Sequence, residues 1–190
     1  FNIILKIIIF ISIIHCNDLE SYLEISGQNR SEIELALHKI PEPQSKGLIW
    51  LISNMPSEDL QTLSSDFLLN NTKLAYEAWN SSPWKNSIPE NIFLDNVLPY
   101  ANLNEKREEW RYKFKSAFSK NVKNAKTISE AVAILNNQIF TELGVRYSTK
   151  RPKADQSPGE SIQAGMASCT GLSILLISVC RSLGIPARFV

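Results

Sequence analysis

Hydrophobic residues recur at helical spacing along most of the chain, with polar residues between them. The clearest sets, each spaced by four residues, are Ala131, Leu135, Ile139 and Leu143, and the aromatic residues Trp110, Phe114 and Phe118. We interpret both sets as helix faces that pack in a core, since an aromatic stripe at this spacing is typical of core packing. The pattern therefore predicts that residues 17–150 form a mainly helical region.

Capping and helix-breaking residues predict where the individual helices begin and end. Ser31 and Thr127 are each followed three residues later by a glutamate, which is the spacing of a capping box at a helix start. Prolines and glycines mark the predicted ends of the helices. Together these signals predict helices over residues 17–26, 31–40, 48–52, 57–79, 89–98, 105–122 and 127–143, then a short strand at 145–147 and a loop over 150–159.

The last helix is predicted over residues 169–183. Its apolar positions form one stripe, made of Leu172, Leu175, Leu176, Val179, Cys180 and Leu183. Gly184 is expected to cap the helix, Pro186 prevents its continuation, and residues 187–190 are expected to start a strand. Cys169 lies three residues before the first stripe residue, so we expect it to share the buried face.

An apolar segment at the N-terminus predicts export. Residues 1–14 are almost wholly apolar, a stretch too short to span a bilayer, which takes about 20 residues. The length suits the core of a signal peptide, and Cys16 follows it. We predict a signal peptide over residues 1–16, with a lipoprotein leader that carries a lipid on Cys16 as the first interpretation. An ordinary secretory signal and a buried or anchoring helix are the alternatives, and all three predict an extracytoplasmic protein, secreted or anchored to a membrane.

Composition excludes several classes of protein. The chain has 190 residues, of which 44% are hydrophobic, and a net charge of +1, so it can form a core and has no basic excess of the kind that nucleic-acid binding needs. We interpret the lysines within residues 113–126 as a solvated helix face. With three cysteines, two histidines and no Cys-x-x-Cys pair, we expect neither a metal site nor a cofactor, and no nucleic-acid partner.

The position of Cys169 in the first turn of its helix makes it a candidate nucleophile. A helix N-terminus carries partial positive charge and free N–H groups, which favour a thiolate and can help to bind an oxyanion. The small residues around it, from Ala167 to Gly171, leave room for a substrate carbonyl. The alternative is that Cys169 is a small buried core residue. Cys180, in mid-helix, is interpreted as inert core.

Two motifs at the C-terminal end carry a family resemblance. Residues 165–173 read Gly-x-x-x-Cys-Thr-Gly-Leu-Ser, and residues 180–188 read Cys-Arg-Ser-Leu-Gly-Ile-Pro-Ala-Arg. The combination is similar to the transglutaminase-like superfamily, and residues 88–90, 97–100, 104–105 and 110–111 resemble its bacterial extracytoplasmic members more loosely. The resemblance implies an α+β cysteine-protease-like core in the complete protein. We expect residues 151–190 to be the start of that core, so that the sequence given is predominantly α-helical and lacks most of the sheet.

The resemblance also implies a mechanism. In the family a Cys-His-Asp triad transfers an acyl group through a thioester, here at Cys169, which leads to amide hydrolysis or to transamidation. The family's His and Asp follow the cysteine helix, and we expect the sequence given to stop before them. His15 lies in the leader and His38 on an early helix, so neither is a convincing general base.

Two residues are candidates for the donor that would bind the oxyanion. Gln163 lies six residues before Cys169, a spacing that resembles the glutamine of papain-like proteases, and Tyr147 is a weaker candidate. The expected partner is a protein, peptide or glycoprotein substrate. The alternative function is a degenerate, non-enzymatic member of the family that binds a protein or a glycan.

Overall fold

A computed structural model describes residues 19–190. The predicted leader, with His15 and Cys16, lies outside the described residues. By its contacts the chain divides into two compact units, the first ending at Thr72 and the second running from Lys73 to Val190. None of the helices in the described ranges is both long and apolar enough to span a bilayer.

The first unit is built from short helices. They are α1 (residues 19–25), a 3-10 turn at Gly27–Asn29, α2 (Arg30–Lys39), α3 (Glu42–Asn54), α4 (Ser57–Thr62) and the beginning of α5 (Ser65–Ser81). Their apolar faces meet in a core that contains Ile33, Ala36, Leu48, Ile52, Leu60 and Leu68. Because the buried positions recur three or four residues apart, each helix turns one face inward.

Two predictions for the first unit are wrong, and the hydrogen bonds of the Asn29 side chain contribute to both differences. The capping box at Ser31 does not form, because α2 already begins at Arg30. Asn29 stands at the N-cap position, but its side-chain amide donates to the carbonyls of Leu60 (2.9 Å) and Leu63 (2.8 Å). The long helix predicted over residues 57–79 is broken at these carbonyls into α4 and α5.

The second unit continues with helices and contains a small sheet. Its elements after α5 are a 3-10 turn at Lys85–Ser87, α6 (Glu90–Asn96), α7 (Arg111–Phe118), α8 (Ile128–Glu142), β1 (Arg146–Tyr147), α9 (Pro158–Ala164), β2 (Met166–Ala167) and α10 (Cys169–Ser182). Within the described residues the sheet consists of β1 and β2, which pair in parallel. A mainly helical chain with little sheet agrees with the sequence prediction. The structure assigns no strand to residues 187–190, where one was expected to start.

Helix α10 forms the centre of the second unit. It packs against α7, α8 and α9. The predicted aromatic stripe is confirmed as core, since Trp110, Phe114 and Phe118 are all buried. The predicted stripe on α10 is too narrow, because Ile174, Ile177, Ser178 and Arg181 are buried as well. Leu172 and Leu176 of the predicted stripe are only partly buried, so the buried surface of α10 is broad but leaves one face of the helix partly open.

Arg181 anchors the C-terminal end of α10. Its guanidinium is buried and donates to the carbonyls of four residues: Asn96 (3.3 Å), Pro99 (3.1 Å), Ala101 (2.8 Å) and Ala187 (2.9 Å). Burial lowers the pKa of Arg181 to about 10, while the Glu105 carboxylate acts in the opposite direction. The carbonyl dipoles replace the water that a buried charge loses.

Arg111 also donates to the loop that follows α6. Its side chain donates to the carbonyls of Val97 (2.7 Å), Leu98 (2.7 Å), Pro99 (3.1 Å) and Arg181 (3.3 Å). It also lies 4.6 Å from the centre of the Trp110 ring, close enough for a cation–π contact. Burial, followed by the charge of Arg181, lowers the pKa of Arg111 well below its ordinary value. The two arginines thus join α7, α10 and the loop after α6.

Two glycines with positive φ provide a matched test of packing behind α10. Gly184 has φ +74°, and a Cβ there would lie 2.5 Å from the carbonyl oxygen of Ala78. Gly144 has φ +67° and no atom within 4 Å of its Cβ position. We predict that Gly184→Ala lowers the free energy of unfolding by about 3 kcal/mol or more, because strain and clash add, and that Gly144→Ala lowers it by about 1 kcal/mol, from strain alone. Urea denaturation measures both, and equal losses would contradict the described contact.

Candidate active site

Cys169 is the first residue of α10, directly after a well-bonded N-cap. The hydroxyl of Ser168 accepts a hydrogen bond from the N–H of Gly171 (3.0 Å) and donates to the carbonyl of Ala154. The first bond caps the N-terminus of the helix, because it gives the N–H of Gly171 an acceptor. The second ties the loop after residue 150 to the start of α10, so the backbone around the thiol is held from two directions.

The thiol of Cys169 is exposed, and the expectation that it shares the buried face is wrong. The inward position of the first turn belongs to Gly171, which is buried. A Cβ at Gly171 would lie 3.0 Å from the Ala167 Cβ, which is closer than an ordinary van der Waals contact. Cys169 comes two residues earlier, about 200° away around the helix, and therefore points to the opposite side.

Cys180 has the opposite environment within the same helix. It is buried, as predicted for a core cysteine. Burial raises the pKa of its thiol to about 12, although the charge of Arg181 acts in the opposite direction. A thiol of that kind is almost never ionised at neutral pH and cannot act as a nucleophile.

The sheet brings Tyr147 close to the segment that leads into α10. Tyr147 is the strand partner of Ala167, two residues before Cys169, and its side chain is 60% exposed. The N–H of Ser148 donates to the carbonyl of Ala167 (2.9 Å), which continues the pairing. Tyr147 thus lies on the strand adjacent to the nucleophile segment, and its role as an oxyanion donor stays a prediction.

Gln163 and His38 lie elsewhere. Gln163 is exposed on α9, where it lines an open pocket. Cys169 does not belong to the lining of that pocket, and the role of Gln163 stays a prediction. His38 is an exposed residue in the last turn of α2, in the first unit.

Sequence reasoning missed α9 and the carboxylate that holds its start. Ser157 and Glu160 form a capping box, with Pro158 in the first turn, a signal that the loop prediction for residues 150–159 overlooked. Glu108 adds a contact that no local pattern reveals. Its carboxylate accepts from the Ser157 hydroxyl (2.8 Å) and from the N–H of Gly159 (2.8 Å).

Among residues 19–190, no group of three or more His, Cys, Asp or Glu side chains is arranged to hold a metal ion. What the site offers is an exposed thiol at the positive end of a helix that is itself rigidly packed.

Comparison with known families agrees with this site. Residues 116–190 match the model of the transglutaminase-like superfamily. The match runs from the last turn of α7 through α8, α9 and α10, and it confirms that this part of the chain resembles the superfamily. Neither a curated protein nor a solved structure was found to match the chain.

The contrast between the two cysteines predicts selective alkylation. We expect iodoacetamide at pH 8 to label Cys169 at least about 1000-fold faster than Cys180, because a thiol with a pKa near 12 is only about one part in 10,000 ionised at that pH, and because Cys180 is also buried. Peptide mass spectrometry over a time course measures both rates. In a Cys169→Ser variant the peptide that contains Cys180 should still be labelled slowly, and comparable rates at Cys169 and Cys180 in the wild-type protein would contradict the described burial.

Proposed function

We propose that the protein is a cysteine acyl-transfer enzyme with Cys169 as its nucleophile. The observation that carries this proposal is the exposed thiol at the N-terminus of a buried helix, within the segment that matches the transglutaminase-like superfamily. The Cys169 thiolate adds to an amide carbonyl, which forms a C–S bond and a tetrahedral oxyanion, and the C–N bond breaks when this intermediate collapses to a thioester. The amine leaves with a proton, and the thioester passes its acyl group to water or to a second amine.

The start of α10 supports the charge that develops in this reaction. The first intrahelical bond runs from the N–H of Leu172 to the carbonyl of Ser168. The N–H groups of Cys169 and Thr170 precede that bond, and the helix dipole directs partial positive charge to them. They are suitably placed to stabilise the oxyanion of a tetrahedral intermediate formed on the thiol.

The proton transfers need a general base and a residue that orients it, and the family resemblance implies both. In that mechanism a histidine removes the thiol proton and an aspartate orients the imidazole. We propose that the complete protein has an α+β core in which a histidine and an aspartate, on strands that follow the cysteine helix, complete the site. The exposed position of Cys169 supports this, since an imidazole can approach the thiol only from an open side.

The substrate and the location follow from the same family and from the apolar N-terminal segment. We propose that the acyl donor is a protein, a peptide or a glycoprotein. The enzyme would act outside the cytoplasm, secreted or attached to the membrane through a lipid on Cys16. Supporting this are the apolar residues 1–14 and the cysteine that follows them.

Trapping the thioester tests the proposed function. The full-length protein is mixed with a glutamine-containing peptide, quenched in acid, and examined by intact-protein and peptide mass spectrometry. We expect an acyl adduct on Cys169 and at least a 1000-fold loss of turnover in a Cys169→Ala variant, because removal of a nucleophile abolishes the covalent route. A Cys180→Ala variant is the matched control and should still form the adduct.

Two results would contradict the proposal. One is turnover that persists in Cys169→Ala. The other is peptide binding to the wild-type protein without any adduct or turnover, which would favour the non-enzymatic binding module.

A further inference from the structure

The three residues that precede Cys169 are each hydrogen-bonded to the loop over residues 148–156. The bonds run from the Gln156 side-chain amide to the carbonyl of Met166 (3.1 Å), from the N–H of Ser148 to the carbonyl of Ala167 (2.9 Å), and from the hydroxyl of Ser168 to the carbonyl of Ala154. In the third bond the segment before Cys169 contributes a side chain rather than a carbonyl. A substitution of Ser168 therefore removes this bond and leaves the donors and acceptors of the other two in place.

The hydroxyl of Ser168 both donates and accepts a hydrogen bond. It donates to the carbonyl of Ala154, and it accepts from the N–H of Gly171 at 3.0 Å. The residue is 4% exposed, so water has little access to replace either partner. A serine that only capped the helix would need the bond with Gly171 and not the bond with Ala154. The bond to Ala154 joins the start of α10 to a segment outside the helix.

These bonds surround the peptide group that joins Ser168 to Cys169. The carbonyl oxygen of that group accepts from the N–H of Leu172 (2.9 Å), and the N–H of the same group belongs to Cys169. Because a peptide group is planar, whatever fixes the backbone of Ser168 also fixes the direction of the Cys169 N–H. Ser168 has a ψ of 175°, and rotation about this bond would turn the N–H away from its present direction.

We propose that Ser168 is a positioning residue for acyl transfer at Cys169. The hydrogen bond to Ala154 holds Ser168, and Ser168 directs the Cys169 N–H toward the oxyanion. This N–H interacts more strongly as charge develops on the substrate oxygen, so its direction affects the transition state more than it affects substrate binding. The inference deepens the proposed function and rests on it, because it assigns a role in that reaction to a second residue.

Steady-state kinetics of the full-length protein test this role. Ser168→Ala, which lacks the hydroxyl, and Ser168→Thr, which keeps it, are compared with the wild type in the release of ammonia from a glutamine-containing peptide. We expect kcat to fall at least about tenfold in Ser168→Ala with KM unchanged within about threefold, because the lost interaction belongs to the transition state. We expect Ser168→Thr to keep kcat within about threefold of the wild-type value.

Thr127→Ala is the matched control for the loss of a helix cap. Thr127 is the exposed N-cap of α8, and its hydroxyl accepts from the N–H of Glu130 (3.1 Å). Its removal costs a capping bond of the same kind, and we expect kcat to stay within about twofold of the wild type. An equal loss of kcat in Thr127→Ala and Ser168→Ala would show a general effect of capping and would overturn the proposal.

Limited proteolysis measures the bond to Ala154 independently of turnover. The loop contains two exposed sites for trypsin, at Lys150 and Lys153. Without the Ser168 hydroxyl the loop should open more often, and trypsin cleaves the transiently opened form. We expect cleavage after these lysines to be at least about fivefold faster in Ser168→Ala than in the wild type, and unchanged within about twofold in Thr127→Ala. If Ser168→Thr does not fold, these rates decide together with kcat of Ser168→Ala.

The outcomes separate this inference from the proposed function. If the wild-type protein turns over the peptide, an unchanged kcat in Ser168→Ala, or a loss confined to KM, would overturn the role of Ser168 and leave Cys169 as the nucleophile. Unchanged trypsin cleavage of the loop in Ser168→Ala would overturn the part assigned to the Ala154 bond. A wild-type protein without turnover would refute the proposed function, and the role of Ser168 would fail with it.

Discussion

The fold of the second unit depends on how two buried arginines are satisfied. Arg111 and Arg181 both donate to main-chain carbonyls of residues 96–101, and Arg181 also reaches the carbonyl of Ala187. A guanidinium is costly to bury, and it is stable inside a protein only when hydrogen bonds replace its water. The backbone of the loop after α6 places its carbonyl groups around both guanidinium groups. That shape in turn fixes the C-terminal end of α10 against α7.

A helix fixed at one end can present a reactive group at the other. Helix α10 has 14 residues, which corresponds to about 20 Å, and its core residues are enclosed by α7, α8 and α9. At the far end, Ser168 caps the first turn and Gly171 lets it approach Ala167 closely. The thiol of Cys169 is therefore exposed on a rigid support, while Cys180 in the same helix is made inert by burial.

The sequence pattern predicted the parts of this arrangement that depend on local periodicity. Helices α8 and α10, the buried aromatic stripe and the glycine stops at Gly144 and Gly184 all follow from spacing and from backbone preference. The burial of Arg181 could not be foreseen, because its partners are backbone carbonyls, which leave no mark in the sequence. The exposure of Cys169 was mispredicted for a related reason: spacing places it on the face of Leu172, but that face is only partly buried, and the buried position in the first turn belongs to Gly171. The boundary predicted at residue 150 stays a prediction.

The most direct test of this account is native-state hydrogen exchange in Arg181→Met, with the exposed Arg188→Met as its matched control. Removal of the Arg181 guanidinium takes one donor from each of its four carbonyl partners, of which Pro99 keeps Arg111 and Asn96 keeps the N–H of Ala187, at a cost of about 2 kcal/mol or more. The account predicts that amide exchange within residues 174–182 of α10 becomes at least roughly 30-fold faster in Arg181→Met, with unchanged exchange in Arg188→Met. Unchanged protection of α10 in Arg181→Met would contradict the claim that the buried arginines hold the helix that carries Cys169.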